Sequence, residues 1–254
     1  MFAERSRVKP ILVPAVSLIV LLGAWQLADY VFDFNSIIIP SPKEIVAAFL
    51  ASYPILFKET GITLIESLSG FLLGGLTAYL LAIVFVHSRT AQQAVYPYAV
   101  ALKSTPLIAI APLLVLWFGN GMMSKIVMSA LVAFFPVLVN AVSGLSAVDP
   151  EAIDLMKSLS ASRWQVLTKI RIPNSFPYLF ASLKIASSMA VVGAVIAEFT
   201  GSTEGIGHLI TTSSYYLETP LMFAAIAMIS LGGILFFGLM GYLERRIVFW
   251  QEPL

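Results

Sequence analysis

The residue types that perform most protein chemistry are scarce in this chain. It has no Cys and only two His, His87 and His208. Thiol catalysis and thiolate metal sites are therefore excluded, and an imidazole metal site is not expected. The sequence contains no His-Glu-x-x-His, no Gly-x-Ser-x-Gly and no Gly-Lys dipeptide, the patterns of zinc proteases, serine hydrolases and phosphate-binding loops. We therefore expect no catalytic residue, no metal and no cofactor bound by this chain, and an intramembrane enzyme is disfavoured.

A few polar residues stand inside apolar stretches, where they could act on a passing solute. Lys103, Ser104 and Thr105 interrupt one such stretch, and Glu198 lies near the end of another. A charge in hydrocarbon costs at least about 2.5–3.5 kcal/mol, so the positions of Lys103 and Glu198 in apolar stretches require an explanation. One hypothesis is that they line a substrate pathway or gate. The alternative is that Lys103 satisfies a carbonyl freed by Pro106 and that Glu198 marks a helix end.

The segment 148–176 combines amphipathic periodicity with basic residues. Asp149-Pro150 is a favourable helix start, because Asp accepts from free amide groups and Pro fits the first turn. Apolar residues at helical spacing then predict two short helices, the second ended by Pro173 and Pro177. We expect these helices to project from the membrane at an angle to each other. A solvated loop without a partner is the alternative.

The spacing within this segment resembles the Glu-Ala-Ala loop of ABC importer permeases. The matching positions are Asp154 for the acidic residue, Leu155 and Met156 for the two Ala, Ser160 for the Gly, and Ile170-Arg171-Ile172-Pro173 for the closing Ile-x-Leu-Pro. The branch similar to nitrate, sulfonate and taurine permeases often has Gly-Ala-Ser-Arg-Trp here, and this chain has Ser160-Ala161-Ser162-Arg163-Trp164. Other stretches similar to that branch are Ile-Ile-Ile-Pro-Ser-Pro at 37–42, Ala-Glu-Phe at 197–199 and Gly-Ile-Gly at 205–207.

The resemblance implies a type I ABC importer fold and a set of partners. In that family the projecting helices dock into a groove on a separate ATPase, which hydrolyses ATP with Mg, and two ATPase copies drive alternating access. An extracytoplasmic binding protein delivers the solute, and Tyr215 and Tyr216 are expected to contact it unless they belong to a plain loop. Ser at position 160 in place of the Gly disfavours a tight left-handed turn, but it can cap the second helix instead, so we expect the elbow between the helices to form. The residues implied in docking are Asp154, Met156, Leu159, Ser160, Arg163, Trp164 and Pro173.

Composition places these residues in a membrane protein. Apolar residues make up 59% and charged residues 11% of the 254, against about 45–50% and about 25% in soluble domains. Because roughly 20 apolar residues span a bilayer, we predict an all-α integral membrane fold with six transmembrane helices. The first is interpreted as a retained helix, since it is longer than a signal-peptide core. The six stretches are 10–28, 67–86, 104–124, 126–148, 177–197 and 219–243.

The distribution of Lys and Arg predicts the orientation. If the N-terminus is cytoplasmic, the outer segments hold only Lys43, Lys58 and Lys125, and both termini are inside. The net charge of +1 gives no nucleic-acid footprint. We expect a transmembrane helix with an outer interfacial segment at 1–59, and a permease module at 60–254 with its coupling loop at 148–176. The inner segments hold Arg5, Arg7, Lys9, Arg89, Lys157, Arg163, Lys169, Arg171, Arg245 and Arg246.

The function expected from these patterns is that of an inner-membrane permease subunit that imports a small solute. The branch resemblance favours a sulfonate, taurine or nitrate-like anion, and a vitamin or pyrimidine precursor or riboflavin is the alternative. A stand-alone secondary carrier or channel is the hypothesis from a different class. Six helices supply half of a central pathway, so we expect a homodimer, with a heterodimer of related permeases left open.

Overall fold

Helices make up the architecture throughout. The computed structural model describes residues 9–250, except for the side chains of residues 9–11, 99–100 and 102–104. A π-helical segment, Leu167–Arg171, joins two of the helices. The α-helices in the described residues are α1 (Lys9–Phe32), α2 (Pro42–His87), α3 (Arg89–Ser104), α4 (Leu107–Phe118), α5 (Met122–Ser146), α6 (Pro150–Ser158), α7 (Arg163–Val166), α8 (Ile172–Glu198), α9 (Ile206–Tyr215) and α10 (Thr219–Ile247).

Within residues 9–250, five helices are long and apolar enough to cross a membrane: α1, α2, α5, the continuous helix Arg163–Glu198 and α10. The predicted all-α membrane fold is confirmed. The stretch 104–124, however, is divided between α3 and α4, because the backbone leaves the helix at Thr105-Pro106. Pro106 lacks an N–H and disfavours a helical residue before it. With 12 residues, α4 is about 18 Å long, well short of the roughly 30 Å hydrocarbon core.

Helix α2 contains both the end of the predicted outer interfacial segment and the second predicted span, 67–86. It begins with a capping box, in which Ser41 N donates to Glu44 Oε2 (2.8 Å) and Glu44 N donates to Ser41 Oγ (3.3 Å). The helix bends at Ser52 (φ −120°, ψ 16°), two residues before Pro54. A proline inside a helix cannot donate to the preceding turn and clashes with it, which explains the bend.

The chain forms two compact units, Met1–Phe57 with Leu209–Met228, and Lys58–His208 with Ile229–Leu254. In the first unit, the Trp25 and Phe223 rings lie 6.0 Å apart, and Thr219 Oγ1 donates to the Ile37 carbonyl (2.6 Å). These contacts fix α1 and the start of α10 within that unit. All residues predicted to act in docking or in the solute pathway lie in the second unit, whereas Tyr215 and Tyr216 lie in the first.

Close helix packing organises the second unit around α5. A side chain at Gly74 of α2 would collide with the carbonyl of Ala130, and one at Gly70 would collide with Ser129. On the other side, a Cβ at Gly193 of α8 would lie 2.9 Å from the Ser129 Cα. Small residues therefore bring α2 and α8 against the same stretch of α5, as small-xxx-small pairs do in membranes. Gly70 and Gly74 therefore serve the packing of α2 on α5.

Candidate functional site

The segment between α5 and α8 forms two short helices, and residues 150–172 are called the elbow from here on. Asp149 caps α6, its side chain accepting from Glu151 N at 2.9 Å, with Pro150 in the first turn. This start follows the local rules from which it was predicted. No residue of α6 is buried, but Ala152, Ile153 and Met156 on one face are half-buried, so the opposite face is the one available to a partner.

A left-handed turn at Ser160 ends α6. Ser160 has φ 58°, its N–H donates to the Lys157 carbonyl (2.9 Å), and Ala161 N donates to the Met156 carbonyl (3.0 Å). This pair of hydrogen bonds is the Schellman arrangement, which usually has Gly at the left-handed position. The turn is therefore kept with Ser in place of Gly, at the cost of backbone strain on the order of 1–2 kcal/mol.

Ser162, rather than Ser160, caps the second helix. Its hydroxyl accepts from Gln165 N (3.2 Å), and its N–H donates to Gln165 Oε1 (2.7 Å), which completes a capping box. The cap expected of Ser160 is therefore made by Ser162, and the left-handed turn that a residue other than Gly disfavours forms at Ser160. The elbow is fixed by local hydrogen bonds at both sides of its corner.

Proline does not end the second helix, and that prediction is wrong. The chain is helical from Arg163 to Glu198, 36 residues, through both Pro173 and Pro177. The π-helical turn Leu167–Arg171 directly precedes this proline pair, and Pro173 stands in the first turn of α8. A wider π turn accommodates the missing donor that would disrupt a regular helix. The elbow therefore continues into α8 without a loop.

Two side chains tie the base of the elbow to α5. Arg171 Nη1 donates to the Leu145 carbonyl (2.7 Å), and Asn174 Nδ2 donates to the Gly144 and Ala147 carbonyls (3.2 Å each). These carbonyls lie at the C-terminal end of α5, where the helix cannot satisfy them itself. The elbow is thus held by hydrogen bonds as well as by chain connectivity.

The outer surface of the elbow is apolar with a basic border. Leu155, Leu159 and Trp164 are 61%, 70% and 67% exposed, whereas Met156 is half-buried. Asp154 is exposed and pairs with Lys157 at 2.8 Å. A groove of about 480 Å³ beside this patch is lined by residues that include His87, Lys157, Arg163 and Arg171. Exposed apolar area with a polar rim is typical of a protein-binding surface.

Of the predicted pathway residues, the structure describes the side chains of Thr105 and Glu198. The side chains of Lys103 and Ser104 lie outside the described residues. Thr105 is exposed at the break between α3 and α4, and its Oγ1 donates to the Ala101 carbonyl (3.3 Å). Glu198 is 1% exposed. Tyr215 and Tyr216 are exposed at the end of α9, with their rings 5.2 Å apart and edge to face.

Glu198 takes part in a buried polar cluster at the C-terminal end of α8. Its Oε1 accepts from Thr63 Oγ1 and its Oε2 from Gly207 N, each at 2.6 Å. Glu59 Oε2 accepts from Gly205 N, also at 2.6 Å. Both carboxylates thus meet backbone N–H groups at the start of α9, where a helix favours negative charge. Within the described residues, no group of three His, Cys, Asp or Glu could hold a metal.

This cluster explains two of the sequence motifs together. Gly205 has φ +98°, and a Cβ there would overlap the Glu198 carboxyl group. A Cβ at Gly207 would lie 2.7 Å from Glu198 Oε2. Ala-Glu-Phe at 197–199 and Gly-Ile-Gly at 205–207 therefore form one contact, in which only glycine leaves room for the carboxylate.

Sequence reasoning missed several members of the cluster. Lys125, counted as an outer loop residue, is buried, and its Nζ donates to the Asn120 and Gly121 carbonyls. Glu66 is only 3% exposed. A signal was present, since residues 59, 63, 66 and 70 recur at helical spacing and share one face of α2. Polar residues on that face predict a buried interior contact in a membrane helix.

The sequence analysis also missed an ion pair between α8 and α10. Lys184 of α8 bonds to Glu244 of α10 at 2.7 Å, with each side chain about one quarter exposed. The charge of Lys184 is thus paired within the bundle rather than left alone in hydrocarbon.

Comparisons with known proteins agree with the resemblance stated from the motifs. Residues 70–249 match the family of binding-protein-dependent transport system inner membrane components. The riboflavin transport system permease protein of Chloroflexus aurantiacus is 34% identical over 93% of this chain and 89% of its own length. The taurine transport system permease protein of Escherichia coli is 29% identical over 92% and 88%.

The fold also has a solved counterpart. The inward-facing MetNI methionine ABC transporter matches with a TM-score of 0.67 and 16% identity, over 78% of this chain and 98% of the matched chain. The resemblance to ABC importer permeases is confirmed, which identifies the chain as a transport subunit rather than an enzyme. The chain belongs to the family of binding-protein-dependent transport system inner membrane components and is a multi-pass permease subunit of an ABC importer.

Proposed function

We propose that this permease is driven through the elbow, which docks into a groove on a cytoplasmic ATPase. The observation that carries the proposal is the exposed patch of Leu155, Leu159 and Trp164 on a segment anchored to α5. Arg163 borders the patch in the basic groove. The partner hydrolyses ATP with Mg, and its movement reaches the membrane helices because the elbow continues into α8 without a break.

The contribution of Trp164 to docking follows from its exposed area. Two thirds of Trp164 is exposed to solvent, which corresponds to about 170 Å² of the roughly 250 Å² that a tryptophan can bury. At about 25 cal/mol per Å², full burial is worth about 4 kcal/mol. Because association costs consume part of this gain, we expect Trp164→Ala to lose about 2–4 kcal/mol. That is a roughly 30- to 700-fold weaker affinity for the ATPase.

The test measures binding of the purified ATPase to the permease in nanodiscs, together with co-purification from cells. Arg163→Glu reverses the charge at the rim and should also weaken binding. Trp117→Ala is the matched control, since Trp117 on α4 is 68% exposed and its removal takes the same area from another surface. Wild-type affinity in both elbow variants, with normal membrane insertion, contradicts the docking role.

We extend the proposal to the assembly and its pathway. Two permease copies enclose the solute route, both termini and the elbow face the cytoplasm, and Tyr215 and Tyr216 contact the binding protein. The break at Thr105-Pro106 supports a pathway role for the neighbouring Lys103 and Ser104. Irregular backbone at membrane depth is tolerated where it lines a cavity or is buried in protein. Labelling of a single Cys at position 164 from the inside only is the result expected from this orientation.

The solute has two candidates. The motif resemblance favours a small anion such as a sulfonate, taurine or nitrate, and the taurine permease relative supports it. A vitamin or pyrimidine precursor or riboflavin is the second candidate, favoured by the higher identity of the riboflavin permease relative. The binding protein that delivers the solute decides between them in a thermal-shift screen. Stabilisation by riboflavin but not by taurine would reject the anion hypothesis.

A further inference from the structure

Two acidic side chains meet inside the second unit although both are shielded from water. Glu66 of α2 is 3% exposed and Glu198 of α8 is 1% exposed. Glu66 lies one turn after Thr63 on the same face of α2, and Thr63 Oγ1 donates to Glu198 Oε1 (2.6 Å), which brings the two carboxyl groups together. Two ionised carboxylates are acceptors only and repel each other, whereas a protonated carboxyl group donates one hydrogen bond. Contact between the two therefore requires a proton.

The hydrogen bonds of the two groups are unequal, which shows where the proton belongs. Glu198 accepts from Thr63 on one oxygen and from the backbone of Gly207 on the other. Glu66 Oε2 is fully buried and has no hydrogen-bond partner among the described residues. Hydrogen-bond donors favour the ionised form of a carboxyl group, and burial without donors favours the neutral form. Glu198 is thus suited to be the carboxylate and Glu66 the acid.

The charged groups around the pair also favour one proton on the two carboxyl groups. Lys125 of α5 acts on both carboxyl groups, and its ammonium group is held by the carbonyls of Asn120 and Gly121. Glu59, on the same helix as Glu66, has its own cation in Lys58 at 3.1 Å. The remaining titratable neighbours are Glu204, which is exposed, and His208 of α9, which is half-buried. One proton on the pair leaves Glu198 and Lys125 with opposite charges and no net charge.

We propose that the permease binds a proton at this site, carried by Glu66 and donated to Glu198, so that the buried group of Glu66, Glu198 and Lys125 is neutral. The shared proton joins α2 to the end of α8. Because Glu198 also accepts from the start of α9, the proton stabilises the contact of three segments. Loss of the proton places two negative charges in contact inside the bundle, where their repulsion is poorly screened.

The test compares Glu66→Gln with Glu198→Gln in the full-length permease in detergent, by thermal unfolding from neutral to alkaline pH. The Gln amide in Glu66→Gln donates to Glu198 as the acid does and cannot ionise. We expect a neutral-pH unfolding temperature close to that of the wild type, without the fall that the wild type shows at alkaline pH. Glu198→Gln offers one acceptor oxygen to three donors, Thr63, Gly207 and the protonated Glu66, and should unfold several degrees lower at all pH values. Glu218→Gln, on the surface, should keep the wild-type profile.

Infrared spectroscopy gives a second measurement that does not depend on stability. The wild type should show the carbonyl band of a protonated carboxylic acid, which titrates at alkaline pH and is absent from Glu66→Gln. If the band persists in Glu66→Gln, or if Glu198→Gln is the tolerated variant, the proton is not on Glu66 and the assignment is wrong. An alkaline profile unchanged in Glu66→Gln would overturn the proposal as well.

Discussion

The anchoring of the elbow to α5 makes a prediction that separates docking from transmission. Arg171 and Asn174 bond to three carbonyls at the end of α5, and neither belongs to the exposed apolar patch. Replacing both by Leu leaves the exposed apolar patch and Arg163 unchanged, and removes one of the cations that line the groove beside them. It should release the base of the elbow, so that the ATPase binds but its movement is not passed on to α5.

The magnitude follows from the three hydrogen bonds. A hydrogen bond with a charged donor contributes about 1.5–3 kcal/mol, and each neutral amide bond about 0.5–1.5 kcal/mol. The Asn174 bonds are long, at 3.2 Å, so they belong at the weak end of that range. About 3 kcal/mol is therefore lost in total, which lowers the population of the anchored elbow by roughly 100-fold.

Hydrogen exchange and ATPase kinetics measure the two consequences. In the Arg171→Leu, Asn174→Leu variant, we expect faster exchange of the elbow amides and loss of the stimulation of ATP hydrolysis by the loaded binding protein. Affinity for the ATPase should change less than threefold. Lys169→Leu is the matched control, since Lys169 is a cation on the same turn with an exposed side chain. Normal exchange and normal stimulation in the double variant would refute this account of the anchor.

Two further predictions concern the polar contacts of the second unit. Gly205→Ala should abolish folded permease, because the new Cβ overlaps the Glu198 carboxyl group. Gly201→Ala is the control, since Gly201 has a similar φ of +99° but no atom lies within 4 Å of the new Cβ. Comparable yields of the two variants in fluorescence-detected gel filtration would contradict this. For the Lys184–Glu244 pair, the single variants Lys184→Met and Glu244→Gln should each lower the free energy of unfolding. The sum of these two losses should exceed the loss in the double variant by a coupling energy of about 1–3 kcal/mol. A coupling near zero in the double-mutant cycle would show that solvent screens the pair.

Local rules account for the parts of the structure that the sequence predicted well. Asp149-Pro150 starts α6 because capping depends on the cap residue and the next three. The break at Pro106 also follows a local rule, since a missing N–H acts on its own turn, but hydropathy alone predicted one continuous span over 104–124. The membrane-spanning helices follow from hydropathy summed over about 20 residues, a sum that no single residue can reverse.

Packing between distant helices explains what the sequence did not predict. Lys125 and Glu66 are buried because the middle of α2 meets the start of α5 and the end of α8, and no window of the sequence contains that fact. The helix continues through Pro173 because a π turn precedes it. A π turn holds one residue more than an α-helical turn, and no sequence pattern marks where it forms. Ser160 shows the reverse case, since the turn that Gly usually makes forms in its absence. Hydrogen bonds across the corner hold that strained residue.

The continuity of the helix Arg163–Glu198 connects the two sites. Its 36 residues extend about 54 Å at 1.5 Å per residue, more than the 40–45 Å of a bilayer with its headgroups. We infer that the elbow and the buried carboxyl pair lie at opposite membrane faces. A stiff helix passes a displacement of one end to the other unless it bends. Movement of the elbow must therefore either deform the π turn or strain the contacts of Glu198 with α2 and with the start of α9.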